Sequence, residues 1–187
     1  MMVGLTSLWL PILLSAVVVF IASSIIHMVL PWHKGDYPPL PNEDRAMDAI
    51  RQLNLAPGDY FFPRPASQAD MRTEAFKAKM AKGPMGILTI MRPGGSGMGK
   101  SLGQWFVFSI VVSIFAGYVA SRAVQTGAPY LSVFRFAGVT AFMGYAFAYW
   151  PQSIWYGKSW MSTAKMTIDG LIYGLLTAGV FGWLWPR

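Results

Sequence analysis

Four long runs of apolar residues dominate this sequence. They are 8–31 (LWLPILLSAVVVFIASSIIHMVLP), about 104–121 (QWFVFSIVVSIFAGYVAS), 132–150 (SVFRFAGVTAFMGYAFAYW) and about 163–185 (TAKMTIDGLIYGLLTAGVFGWLW). A helix needs about 20 such residues to cross a bilayer's hydrocarbon core. Lipid offers backbone N–H and C=O groups no partner, so each run is expected to satisfy its own as a helix. The expected fold class is an all-α membrane protein: four transmembrane helices, with a small α-rich extramembrane loop domain, residues 32–103, between helices 1 and 2. Residues 1–7 hold no Lys or Arg, so the first run reads as a retained helix rather than a cleaved signal.

Composition agrees. Only 12% of residues are charged and the mean hydropathy is +0.41, whereas soluble domains carry about 25% charge. This argues against a nucleic-acid-binding or disordered chain, despite a net charge of +7. The absence of cysteine excludes disulfides, thiolate metal sites and a cysteine nucleophile.

The positive residues are distributed unevenly. Of the 15 Lys and Arg, 12 fall in or beside the segments after helices 1 and 3, and Arg122, Arg135 and Arg187 lie on the other side. Positive loops stay cytoplasmic, so the expectation is a bacterial inner membrane with the termini outside and the long loop inside. Trp32, Trp105, Trp150, Trp155, Trp160, Trp183 and Trp185 all fall at expected helix ends or in the short loop. Indoles favour the headgroup layer there.

Small residues recur every four positions. Helix 4 carries Gly170, Gly174, Ala178 and Gly182, and helix 2 carries Ser109, Ser113, Gly117 and Ser121. This spacing stacks them on one face, where backbones can approach closely and serines can bond across. The partner face is expected within the chain, or alternatively on another subunit.

Asp169 is the one acid within an expected span. Such a group is costly in lipid and faces a partner, a cavity or a pathway. Lys165, one turn earlier, is the expected i, i+4 partner; a proton or substrate role and a contact to another subunit are the alternatives. His27, near the end of helix 1, has the chemistry of a haem or pigment ligand. His33 stands beyond Pro31 and is expected to be out of reach of a shared iron, so His27 reads as a polar interfacial residue. No cofactor and no metal site are expected.

In the loop, NEDRAMDAIRQLNL reads as a helix capped by Asn42, and APGDYFFPRPA as a turn-rich linker. SQADMRTEAFKAKMAKG reads as a second helix opened by Ser67 and Asp70, and PMGILTIM as a short strand. RPGGSGMGKSLGQ then matches the phosphate-loop pattern at Gly94, Gly99, Lys100 and Ser101. Its surroundings argue otherwise: the next helix is a membrane span, and about 70 residues leave no room for the βαβ units such an enzyme needs. Nucleotide binding through Gly94–Ser101 stays a remote alternative.

The SSIIHMVLPWHK and DGLIYGLLTAGVFGWLW segments resemble those of bacterial inner-membrane proteins of uncharacterised activity. The resemblance implies a membrane location and brings no cofactor or catalytic residue. With no catalytic residues in evidence, the favoured expectation is a non-catalytic accessory or scaffold subunit of a larger membrane complex. Its partners would be the lipid bilayer and other subunits, or further copies of itself, and not nucleic acid. The alternative is a small oligomeric transporter or channel component using Asp169.

Overall fold

The computed structural model describes residues 3–95 and 97–187. The chain is mostly helical, with four helices long and apolar enough to cross a membrane: Leu5–Val29, Met98–Ala123, Tyr130–Tyr156 and Trp160–Trp183. It divides into two compact units, one of 1–37 with 97–187 and the other of 38–96.

In the first unit α1 (Trp9–Ser24), α4 (Met98–Ala123), α5 (Tyr130–Ala146) and α7 (Trp160–Trp183) form the bundle, and α6 (Trp150–Tyr156) continues α5 after a 3₁₀ turn. Partner positions run in opposite directions along successive helices. Ser15 meets Ser113 and Ser23 meets Trp105 between α1 and α4. Gly182 meets Tyr130 and Gly170 meets Ala146 between α7 and α5. The helices therefore alternate up and down. α4 begins at Met98, ahead of the expected Gln104, because GKSLG continues the helix rather than linking into it.

The small-residue rows sit where these helices touch. A Cβ on Gly170 would lie 2.7 Å from Ala146 Cβ, and one on Gly174 3.0 Å from Phe142 Cβ. On α5 itself, a Cβ on Gly138 would lie 2.8 Å from Ala178 Cβ. Gly117 leaves room for Phe181 and Leu8, both fully buried. Ser109 and Ser113 are also buried, with Ser113 Oγ 3.0 Å from Ser15 Oγ and the Tyr145 hydroxyl donating to the Ser109 carbonyl at 3.5 Å. Interhelical hydroxyl pairs of this kind are worth about 0.6 kcal/mol. A double-mutant cycle of Ser15→Ala and Ser113→Ala is expected to return a coupling of that size, and zero coupling would mean that the two hydroxyls do not interact.

The second unit holds α2 (Glu43–Gln52), β1 (Gly58–Phe62), α3 (Glu74–Lys82) and β2 (Gly86–Ile90). β1 and β2 pair antiparallel, with Tyr60 opposite Leu88. The DYFF segment, expected to be linker, is thus a strand. Its pairing partner lies beyond α3, so no local hairpin signal announces it, and the unit is α+β rather than α-rich. Asn42 precedes α2 in the left-handed region (φ 53°) and makes no side-chain cap bond. α3 also starts later than expected: Ser67 Oγ accepts from Asp70 N, but that turn is 3₁₀, and Thr73 Oγ1 caps the helix by accepting from Phe76 N at 3.2 Å.

Candidate functional site

The end of α1 is irregular. Ile25–Val29 widens into a π turn, closed by Leu30 N donating to the Ile25 carbonyl at 3.0 Å. Leu30 is extended (φ −78°, ψ 147°), as favoured for a residue before proline. Pro31–His33 then forms a 3₁₀ turn. The kink folds His33 back over His27, and their rings stack with centroids 4.2 Å apart at 18°. His33, although beyond Pro31, thus lies directly against His27.

His33 bridges two carboxylates. Its Nε2 lies 2.8 Å from Asp169 Oδ2 and its Nδ1 2.6 Å from Asp36 Oδ2. The other oxygens are also taken: Trp32 Nε1 donates to Asp169 Oδ1 at 3.1 Å, and Lys165 Nζ to Asp36 Oδ1 at 2.6 Å. His27 Nε2 completes the group, 3.9 Å from Asp169 Oδ2. The expected Lys165–Asp169 pair is thus replaced. Lys165 reaches across to Asp36, with its ammonium 5.7 Å from the centre of the Trp32 ring, and Asp169 turns to the histidines. Two carboxylates are within reach of one lysine, and the tertiary fold gives it to Asp36.

Asp169 is 2% exposed. The Lys165 hydrogen bond holds the Asp36 carboxyl below its ordinary range, aided by His33 and opposed by desolvation. Because the folded pKa is lowered, the stabilisation from Asp36 is complete above the ordinary aspartate range and fades as pH falls through the lowered value.

Asp169 and His27 line a cavity of about 440 Å³, walled also by Trp105, Tyr145, Tyr149 and Tyr173. Asp36 lines a neighbouring cavity of about 260 Å³ with Gln152 and Lys158, and Tyr149 and Met166 border both. Tyr173, one turn after Asp169, is 3% exposed, and among the described residues its hydroxyl has no hydrogen-bond partner. Buried hydroxyls are normally satisfied, so this one marks a place where a polar ligand atom or a water is wanted.

The phosphate-loop letters fall differently. Gly94, Gly95 and Gly97 adopt positive φ, and Ser96 lies outside the described residues. Lys100 and Ser101 stand exposed in the first turn of α4. The strand before them, β2, belongs to a two-stranded antiparallel sheet, not a parallel one. The context that makes such letters a nucleotide site is therefore missing among the described residues.

Sequence reasoning named His27, Lys165 and Asp169 but missed Trp32, His33 and Asp36 as one constellation with them. The available signal was WHKGD, four polar-capable side chains in five residues immediately after a span that ends in proline. No family model, curated protein or solved structure matches this chain.

Proposed function

We propose that the protein is a multi-pass membrane protein that acts as a small transporter or channel component through the Asp169 site, self-associating because four spans are few for a monomeric carrier. One observation carries this reading: a carboxylate only 2% exposed, held by His33 and Trp32, lines a cavity of about 440 Å³. Burying an ion among apolar helices has a penalty of several kcal/mol. Helix packing alone does not need it, since the glycine rows already bring α5 and α7 together. An intramembrane acid facing a cavity is the usual mark of a ligand or ion pathway. The skew of positive charge supports a bacterial inner membrane with the long loop cytoplasmic.

The test is flux across reconstituted vesicles loaded with pyranine for protons or a fluorescent indicator for divalent cations. Wild-type vesicles are expected to exceed protein-free ones with at least one probe, and Asp169→Asn is expected to lose most of that flux. Flux no greater than in empty vesicles for either probe, or an undiminished Asp169→Asn protein, overturns the proposal.

A non-catalytic accessory subunit is the second reading. It is favoured by Phe61 and Phe62, which stand 49% and 39% exposed on opposite faces of β1 and offer aromatic contacts to a partner protein.

A further inference from the structure

We propose that His27, His33 and Asp169 form a binding site for a divalent transition-metal ion of the zinc class. This names a ligand for the cavity described above and rests on the ligand-site reading only for that cavity. Each of the three residues presents one ligand atom, and these atoms all lie within 4.8 Å of one another. Donors about 2.0–2.2 Å from one ion stand at most about 4.4 Å apart, so a small closing movement suffices. His27 can make it. Its side chain is 36% exposed, on the cavity wall, and among the described residues no short hydrogen bond fixes its ring, which stacks on His33.

The surroundings are those of a prepared ligand set. A metal-bound histidine commonly donates its other ring N–H to a carboxylate, which fixes the tautomer and strengthens the donor nitrogen. His33 Nδ1 has that partner in Asp36, 2.6 Å away, and Asp36 is itself anchored by Lys165. Trp32 occupies Oδ1 of Asp169, while Oδ2 and His33 Nε2 meet at 2.8 Å, a contact that the ion would replace with two metal bonds. Ligation requires neutral imidazoles. In that state the cluster holds two carboxylates against one ammonium, an unbalanced negative charge in an apolar bundle that favours a cation. Two imidazole nitrogens and one carboxylate select zinc, cobalt, nickel or ferrous ions over magnesium and calcium, which take oxygen ligands. Three protein ligands leave a further position for water or cargo, as in exchangeable sites rather than closed structural ones. The two rings are nearly parallel, so the closing movement also turns the His27 ring until its in-plane lone pair meets that of His33 at the ion.

Co²⁺ is the probe, added to chelator-stripped protein carrying no histidine tag, in mild detergent. The expected result is one Co²⁺ per chain with a visible ligand-field absorption, abolished by competing Zn²⁺ and unaffected by excess Mg²⁺. Asp169→Asn and His27→Gln should each weaken binding at least tenfold, and Asp36→Asn, which touches no ion, by about 10–100-fold through His33. His27→Gln leaves the buried Asp169–His33–Asp36 chain in place, so it remains informative if Asp169→Asn fails to fold. Wild-type protein without the absorption, or His27→Gln binding Co²⁺ as tightly as wild type, overturns the site. Co²⁺ binding without flux would remove the transport reading and leave the site. Flux without Co²⁺ binding would do the reverse.

Discussion

Asp169→Ala is expected to destabilise the bundle by about 3 kcal/mol, the loss when buried hydrogen-bond donors are left without an acceptor. The Asp169 side chain is 3% exposed and that of His33 12%, so solvent cannot replace the missing carboxylate. Alanine leaves both Trp32 Nε1 and His33 Nε2 without their acceptor. Asp169→Asn keeps an oxygen in nearly the same place and should be milder, about 1 kcal/mol. Thermal unfolding in detergent, followed by tryptophan fluorescence, separates the two. The contrast is useful because both variants remove the negative charge, while alanine removes both hydrogen-bond acceptors and asparagine keeps one. Equal melting of Asp169→Ala and wild type would mean that the His33–Asp169 contact contributes nothing to folding.

The second large effect is expected at Gly170. A Cβ there would meet Ala146 at its Cβ (2.7 Å), Cα and N (both 3.1 Å). Two of those atoms are backbone, so α5 and α7 must separate along their contact. Overpacking of this sort is worth about 1–3 kcal/mol; Gly170→Ala should fall in that range and Gly170→Val at its upper end. Two other glycines serve as comparisons. At Gly182 the clash is with the Tyr130 ring (2.6 Å), a side chain 46% exposed that can swing aside, so Gly182→Ala should be milder. At Gly103, within α4, a Cβ meets nothing within 4 Å, so alanine there should stabilise by up to about 1 kcal/mol through helix propensity. If Gly170→Ala and Gly103→Ala unfold alike, the close approach of α5 and α7 is not what holds the bundle.

The sequence by itself determined the long helices and their contact faces. Length and hydropathy are local quantities, and a repeat of four maps onto one helical face whatever the partner. Gly170, Gly174 and Gly182 could thus be read as a packing row before their partners on α5 were known. The short strand near Ile90 was legible for the same reason, as an apolar run bounded by turn residues. Its mate was not. DYFF becomes a strand only by pairing across α3, and that pairing is a long-range contact.

The site divides in the same way. Asp169 stood out because an acid in an apolar run is costly wherever that run ends up. Its partner did not follow from spacing: helical geometry offered Lys165 at i, i+4, but helix positions say nothing about a carboxylate arriving from another segment. Only the tertiary structure decided that Lys165 goes to Asp36, and that the π turn and the extended Leu30 bring His33 against both His27 and Asp169. Periodicity reports what a helix can present. Which charges meet depends on how irregular backbone at the helix ends folds back, and that is fixed by contacts between residues far apart in the chain.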